Sequence, residues 1–227
     1  ADMIELDVCL TSDRVPVVIH DETLDRTTDG KGLVSEHSLS DLKKLDAGSW
    51  FSAEFRNENI PTLEELLQKI RGRITVNIEI KLESFEAPAP PDSIEIQVCK
   101  LVEKLGMTDS VIISSFEHLF FARIQRWYRA QKKSTALRMA PLQGSPLAEE
   151  FAVALCKRNK AYSYHPDESL VTHSLIQTLK ADGLRIFPYT INDEKRMEKL
   201  IKWGVSGIIS DEPERLWKVI REQRSLE

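Results

Sequence analysis

The 227-residue chain has 31 Lys and Arg residues against 36 Asp and Glu residues, which gives a formal net charge of -5. Its basic residues are scattered, which argues against nucleic acid as a partner. Three widely spaced cysteines exclude a disulfide framework or a zinc knuckle, and no apolar run is long enough for a membrane span. We therefore expect one cytoplasmic domain over residues 1–227 that acts on a small molecule.

Strand-like and helix-like segments alternate along the chain. The residue patterns predict strands over 4–8, 74–81, 110–115, 134–139, 161–164, 185–191 and 206–210. They predict helices over 62–71, 92–105, 117–131, 146–159, 168–182, 193–203 and 213–223. Thr62 and Glu65 have the spacing of a capping box, and Asn192 or Asp193 can cap a later helix. Alternation of this kind is typical of a parallel sheet covered by helices.

The alternation fits either an open doubly wound sheet or a closed (β/α)8 barrel. No Gly-rich turn follows the first strand, which disfavours a dinucleotide-binding fold. Seven β/α units are one short of a barrel, and "ADMIELDV" enters a strand abruptly. We therefore expect a TIM barrel whose first β/α unit is absent from the sequence. The long connection over 9–61 and the Pro-rich loop over 83–93 both follow strands, at the end where barrel active sites are built.

Two predicted strands alternate polar and apolar residues, which is unusual in a covered parallel sheet. The first strand places Glu5 and Asp7 on one face. The strand over 74–81 places Asn77, Glu79 and Lys81 on one face. If these faces share the barrel interior, the three carboxylates need a cation, either Lys81 or a divalent metal. Oxygen ligands favour Mg2+ or Ca2+ over zinc. The alternative is a pair of half-exposed strands with a solvated face.

Other candidate residues follow predicted strands. "VPVVIH" can return after a turn to the end of the first strand, which makes His20 a candidate for proton transfer near neutral pH. His165 ranks second, mainly as a structural residue. Phe116 and Tyr189 are placed to wall a small pocket, although aromatic residues there also pack structurally. Arg26 lies among turn formers, and pairing with a neighbouring aspartate suffices to explain it.

Six stretches together resemble the glycerophosphodiester phosphodiesterase family. They are "IELDVCLTSDRVPVVIHDETLDRTTDGKG", "IPTLEELL", "NIEIK", "VIISSF", "YTIN" and "GVSGIISDEP". They occur in family order and cover nearly the whole chain. The first stretch is long and highly specific, whereas the last four are weak individually. The resemblance implies a (β/α)8 barrel with an inserted small subdomain, which would be residues 9–61.

The resemblance also implies an activity and a set of site residues. The metal ligands would be Glu5, Asp7 and Glu79. His20 would act as a catalytic acid or base, and Lys81 would contact phosphate. The implied reaction is metal-dependent hydrolysis of a glycerophosphodiester to glycerol 3-phosphate and an alcohol, part of lipid and glycerol metabolism. The attacking group would be water or the neighbouring hydroxyl of glycerol.

Two features depart from the family pattern, and other functions stay open. The family's His-Arg-Gly motif, which carries a second catalytic histidine, would precede Ala1, as would the Pro-Glu-Asn-Thr segment after it. Tyr189 stands where the family usually has tryptophan, which bears on substrate preference. One alternative is a phospholipase D-like enzyme that forms a cyclic phosphate. Others are a non-catalytic phosphodiester-binding barrel and, less favoured, a Mg2+-dependent enolising barrel.

Overall fold

The computed structural model describes residues 1–133 and 137–224. Its strands are β1 (Met3–Leu10), β2 (Pro16–Val18), β3 (Thr75–Ile80), β4 (Val111–Ser115), β5 (Arg138–Gln143), β6 (Ser163–Pro166) and β7 (Arg185–Ile186). Its helices are α1 (Leu39–Leu42), α2 (Leu63–Ile70), α3 (Ile94–Lys104), α4 (Leu119–Ala130), α5 (Glu149–Asn159), α6 (His173–Ala181), α7 (Glu194–Trp203) and α8 (Pro213–Arg224). Each helix predicted from the sequence is present.

The strands form one sheet in the order β2-β1-β3-β4-β5-β6-β7. β2 pairs antiparallel with β1, and the other five strand pairs are parallel. The predicted α/β fold with a parallel sheet is therefore confirmed. In the register between β1 and β3, Glu5 lies beside Asn77 and Asp7 beside Glu79. This register brings the polar residues of both strands onto the same face of the sheet.

Three predicted strands differ from the observed ones. Residues 134–136 of the strand predicted over 134–139 lie outside the described residues, and the strand there is β5. The regular strand predicted over 185–191 is limited to β7, although Phe187 and Tyr189 still donate to β6. Pro188 has no N–H to donate to the segment 206–210 on its other side. The strand predicted over 206–210 is wrong. That segment runs beside β7 with isolated hydrogen bonds, such as Ser206 N–H to Ile186 O at 3.1 Å, and forms no regular strand.

The apolar faces of the strands pack against the helices. One core lies between β1, β3, β4 and helices α2 to α4, and it includes Val8, Ile78, Ile113, Leu67 and Phe120. A second core lies between β6, β7 and helices α5 to α8. Within residues 1–133 and 137–224, no helix has both the length and the apolar character needed to cross a membrane.

Helix starts follow the predicted caps. Glu65 N–H donates to Thr62 Oγ1 at 3.1 Å, and Thr62 N–H donates to Glu65 Oε2 at 2.8 Å, which completes the predicted capping box. Asp193 caps α7 by accepting from Arg196 N–H. These caps satisfy backbone donors that would otherwise lack a partner in the first helical turn.

The connection from β1 to α2 folds back over the carboxyl end of β1. β2 pairs with the end of β1, with Cys9 opposite Val17, and Ile19 N–H donates to Asp7 O at 3.2 Å. A separate apolar cluster within this connection includes Cys9, Val17, Leu24 and Leu42. The connection therefore has its own packing, and it places residue 20 next to the end of β1.

Candidate active site

Three carboxylates converge at the carboxyl ends of β1 and β3. Ligand oxygens of Glu5, Asp7 and Glu79 lie within 4.8 Å of one another. Alternation along β1 directs Glu5 and Asp7 to one face, and the register places Glu79 beside Asp7. The structure therefore brings together the acidic residues that the strand pattern selected, although their metal-binding role stays a prediction.

Lys81 lies between two of these carboxylates. Its Nζ is 3.3 Å from Asp7 Oδ1 and 3.3 Å from Glu79 Oε1. The Lys81 side chain is mostly buried, with 17% of its surface exposed. Its backbone N–H donates to Val8 O, which ties the end of β3 to β1. One ammonium is thus positioned against three acidic groups, so the cluster carries more potential negative charge than Lys81 can balance.

The pKa values of these groups reflect that imbalance. Desolvation, followed by repulsion from Asp7 and Glu79, raises the pKa of Glu5 to about 8. Desolvation also raises the pKa of Asp7 and of Glu79, and attraction to Lys81 offsets it only partly. Burial alone would lower the pKa of Lys81, but Glu79 and Asp7 outweigh it, so the net shift is upward. A further cation would relieve this repulsion.

The donor set fits a hard divalent ion. Oxygens that bind one such ion at about 2.0–2.6 Å are at most about 5 Å apart, which matches the spacing of the three carboxylates. Among the described residues, buried Glu79 Oε1 has Lys81 Nζ 3.3 Å away as an ion-pair partner but accepts no hydrogen bond of good geometry. One ammonium shared between two buried carboxylates compensates them only in part, so a further cation beside them would lower the cost of their burial. The residues present therefore fit an oxygen-ligated metal.

His20 lies at the mouth of the same site. Its Nδ1 is 2.7 Å from Asp21 Oδ1, and its side chain is 66% exposed. Arg26 donates to Asp21 twice, from Nε at 2.6 Å and from Nη2 at 2.8 Å. These bonds hold the pKa of Asp21 well below its usual range, with Arg26 as the largest cause. An ionised Asp21 can only accept, so Nδ1 of His20 donates to it and Nε2 is the ring nitrogen that points away from Asp21.

Phe116 and Tyr189 form an aromatic pair after β4 and β7. Their ring centroids are 6.2 Å apart in an edge-to-face arrangement, and Tyr189 Oη donates to Gln143 O at 3.2 Å. Gly144 lies against both, since a β-carbon there would be 3.5 Å from Phe116. Tyr189 is close enough to Glu79 for that carboxylate to contribute to the upward shift of the tyrosine pKa, which burial dominates.

A comparison with protein families identifies the chain. Residues 1–215 match the model of the Glycerophosphoryl diester phosphodiesterase family. The chain belongs to this family. The family resemblance and the enzyme class expected from the sequence motifs are therefore confirmed.

Relatives in the phosphodiesterase family cover almost all of the chain. A glycerophosphodiester phosphodiesterase of Caldanaerobacter subterraneus subsp. tengcongensis is 40% identical over 98% of this chain and 87% of its own length. One of Bacillus subtilis strain 168 is 32% identical over 96% of this chain and 76% of its own. A solved Oleispira antarctica phosphodiesterase, in complex with the product sn-glycerol-3-phosphate, matches with a TM-score of 0.82. It is 27% identical over 97% of this chain and 85% of its own. The fold therefore matches TIM-barrel structures of this family.

Sequence reasoning on this phosphodiesterase missed two nearby aspartates. Asp21 contacts His20, which the sequence pattern does not predict, and it also pairs with Arg26. Asp211 is close enough to Glu5 to contribute to its raised pKa, and it accepts from Asn192 Nδ2 at 2.9 Å. The sequence feature that could have identified Asp211 is its position directly after the segment 206–210, at the candidate active-site end of the sheet.

Two buried residues of types that can exchange protons, Cys9 and His165, are structural. Cys9 is buried in the apolar cluster of the β1-to-α2 connection, and burial raises the pKa of its thiol to about 12. His165 is fully buried, with Ser163 Oγ 2.8 Å from its Nε2, and burial lowers its pKa to about 3. Neither side chain is placed to exchange protons with a substrate at neutral pH.

Proposed function

We propose that this enzyme hydrolyses glycerophosphodiesters to glycerol 3-phosphate and an alcohol at the site of Glu5, Asp7 and Glu79. The observation that supports this most strongly is the convergence of three carboxylates and Lys81 at one end of the sheet. Relatives at 32–40% identity are glycerophosphodiester phosphodiesterases. The glycerol 3-phosphate in the Oleispira structure supports this molecule as the product.

Three carboxylates would hold one divalent ion, Mg2+ or Ca2+. Members of this family are typically metal-dependent, and Glu5, Asp7 and Glu79 supply the oxygen ligands that both ions prefer. When bound, such an ion supplies Lewis-acid activation of the phosphodiester. Lys81, fixed between Asp7 and Glu79, places a positive charge where it can stabilise negative charge that develops on the phosphate.

His20 would transfer protons, and Asp21 would position it. The Asp21 carboxylate fixes the ring so that Nε2 is the atom available to the substrate. Arg26 keeps Asp21 ionised through two hydrogen bonds. His20 would accept a proton from the attacking hydroxyl or donate one to the leaving alcohol, and a second acid or base would complete the cycle.

Phe116 and Tyr189 would bind the organic part of the substrate. Phe116 is 41% exposed at the active-site end of the sheet, and Tyr189 is fixed beside it by its hydrogen bond to Gln143 O. Aromatic walls of this kind shape a small-molecule pocket while a few polar groups fix the orientation of the ligand.

Two wider expectations stay predictions. We propose that residues 1–227 act as one barrel domain, with residues 9–61 as an inserted subdomain whose apolar cluster is its own. A cytoplasmic location is consistent with three free, buried cysteines.

Hydrolysis of glycerophosphocholine by the full-length protein tests the proposed function. We expect EDTA to abolish turnover and Mg2+ or Ca2+ to restore it. His20→Ala should lower kcat by about 10²–10⁴, the usual contribution of general acid–base catalysis. His173→Ala is the matched control, because His173 is exposed on α6 and should leave kcat unchanged.

Phosphorus NMR of the products separates hydrolysis from the phospholipase D-like alternative. Glycerol 3-phosphate as the final product supports the proposal, and a stable cyclic phosphate contradicts it. Full activity in EDTA, or in His20→Ala, would remove the metal or the histidine from the mechanism.

A further inference from the structure

Among the described residues, the large apolar side chains that are exposed all lie at one end of the sheet. They are Trp50, Phe51, Phe55, Leu82, Phe116, Leu119, Leu147 and Phe151. Each lies in a connection from β1 to α2, β3 to α3, β4 to α4 or β5 to α5, or in the first turn of the helix that follows. We call this end of the sheet, with its eight side chains, the apolar rim. The rim lies at the same end of the sheet as the carboxylate cluster, because it is built from the connections that follow β1, β3, β4 and β5.

The most exposed part of the apolar rim is an aromatic group in the β1-to-α2 connection. The ring of Phe51 lies 5.7 Å from the ring of Trp50 and 5.7 Å from that of Phe55. Phe51 is 71% exposed. Trp50 Nε1 donates to Ala47 O, so the only polar atom of the side chain is satisfied, and the residue is 51% exposed.

This aromatic group adjoins the active site. One cavity of about 290 Å³ is lined by both His20 and Trp50, together with Ile19, Ile60 and other largely apolar residues. The Arg26 guanidinium lies 5.7 Å from the centre of the Trp50 ring and also bonds Asp21. An apolar surface placed against the rim would therefore be within one side chain of the proposed catalytic histidine.

The distribution and charge of the rim point to its occupant. Single exposed apolar residues are normal, but their confinement to one face marks an interaction surface. Across the four connections Asp and Glu outnumber Lys and Arg, so an anionic surface would be repelled. A second copy docked through this face would cover both active sites. A zwitterionic lipid surface has no net charge to be repelled and does not bury a second active site. Aromatic side chains also favour the lipid–water interface.

We propose that the apolar rim docks the enzyme on a zwitterionic phospholipid surface, with the carboxylate cluster facing the lipid. Phe51 and Phe151 insert furthest, because they are the most exposed members of the rim, at 71% and 61%. The active site then faces phosphodiester groups at the lipid–water boundary. The docking itself does not depend on the proposed hydrolysis, so each can be tested without the other.

Flotation of the full-length protein with vesicles of pure phosphatidylcholine tests this proposal. We expect the wild type to float with these vesicles, and less so when phosphatidylserine is added. Phe51→Ser and Phe151→Ser should each lower the partition coefficient about tenfold, since each removes one buried aromatic side chain. Phe51→Trp is the matched control and should retain binding. Soluble glycerophosphocholine should be hydrolysed equally by all variants, because neither residue belongs to the catalytic site.

Three results would overturn lipid docking. The first is a wild-type protein that does not float with phosphatidylcholine. The second is flotation that survives both serine substitutions. The third is a dimer, seen by analytical ultracentrifugation, that Phe51→Ser dissociates, because it would assign the rim to a second copy of the chain.

Discussion

The two faces of β1 and β3 are built from neighbouring residues, yet one face stabilises the fold and the other destabilises it. On the outer face Leu6, Val8, Ile78 and Ile80 are buried against helices. On the inner face Glu5, Asp7 and Glu79 are crowded together with one ammonium between them. The outer face stabilises the fold by removing apolar surface from water. The inner face costs stability, because its carboxylates are desolvated and repel one another.

The difference supports the inner face as the proposed active site of this enzyme. A cluster that destabilises the empty protein needs another reason to persist, and a bound cation supplies one. The outer face can be replaced by other apolar residues of similar volume, whereas the inner face depends on particular atoms at particular distances. Activity and stability should therefore respond to different faces of the same strand.

The largest effect is expected from the inner face. Glu79→Gln keeps the shape of the side chain but removes the charge of one proposed metal ligand. We expect kcat/KM for glycerophosphocholine to fall by about 10³, since metal and charge stabilisation of this kind contribute several kcal/mol. The free energy of unfolding measured in EDTA should not fall, because one repelling carboxylate has gone. Steady-state kinetics and urea denaturation measure the two quantities.

Glu214→Gln provides the matched control for this substitution. Glu214 is exposed in the first turn of α8, and it is not among the main groups that shift the pKa values of Glu5, Asp7 and Glu79. It should leave kcat/KM unchanged. Retention of wild-type activity by Glu79→Gln would show that the polar inner face is a structural feature only.

Most elements of the fold could be predicted from the sequence, for physical reasons that differ between segments. Alternation in β1 and β3 and the capping box at Thr62 are local signals, so they could be read directly. The extent of β7 and the irregular path of 206–210 could not, because they depend on which partners are available across the sheet. Pro188 was visible in the sequence, and its missing N–H could have argued against a regular ladder between 185–191 and 206–210.

A substitution on the outer face should have the opposite effect to Glu79→Gln: it should lower stability and leave activity unchanged. Ile78→Ala removes a fully buried side chain between β3 and the helices. We expect the free energy of unfolding to fall by about 3 kcal/mol, the typical cost of such a cavity. Activity per folded molecule should stay near the wild-type value, because Ile78 points away from the carboxylates. Urea denaturation combined with kinetics at low temperature measures both. A large loss of kcat with unchanged stability would contradict the division between faces.

The site was less predictable than the fold. Glu5, Asp7, Glu79 and Lys81 share a face by parity alone, so their convergence was foreseeable. The bond between Asp21 and His20 was not, because adjacent side chains meet only for particular backbone and side-chain angles. Asp211 comes from the far end of the chain, and only the closing curvature of the sheet brings it near Glu5.

The inner face destabilises the metal-free protein, and metal binding should make it a stabilising feature. Mg2+ or Ca2+ at about 100 times its Kd is expected to raise the free energy of unfolding by about 2.7 kcal/mol, by mass action on the folded state. The melting temperature of the wild type, followed by calorimetry, should therefore rise with added metal. Glu79→Gln should lose most of this rise and Glu214→Gln should retain it. An equal rise in all three proteins would place the metal elsewhere.

The smallest expected effect comes from two neighbouring serines on opposite faces of β4. Ser114 faces inward beside Glu79 and is fully buried, and its Oγ has no hydrogen-bond partner among the residues that the structure describes. Ser115 is the next residue, and its Oγ donates to Ile80 O at 2.7 Å and accepts from Glu117 N–H. Ser114→Ala should raise the free energy of unfolding slightly. Ser115→Ala should lower it by about 1 kcal/mol, because it breaks a buried hydrogen bond. If urea denaturation shows Ser114→Ala to be the more damaging change, then Ser114 has a partner at the inner face, and that face is more fully satisfied than its contacts indicate.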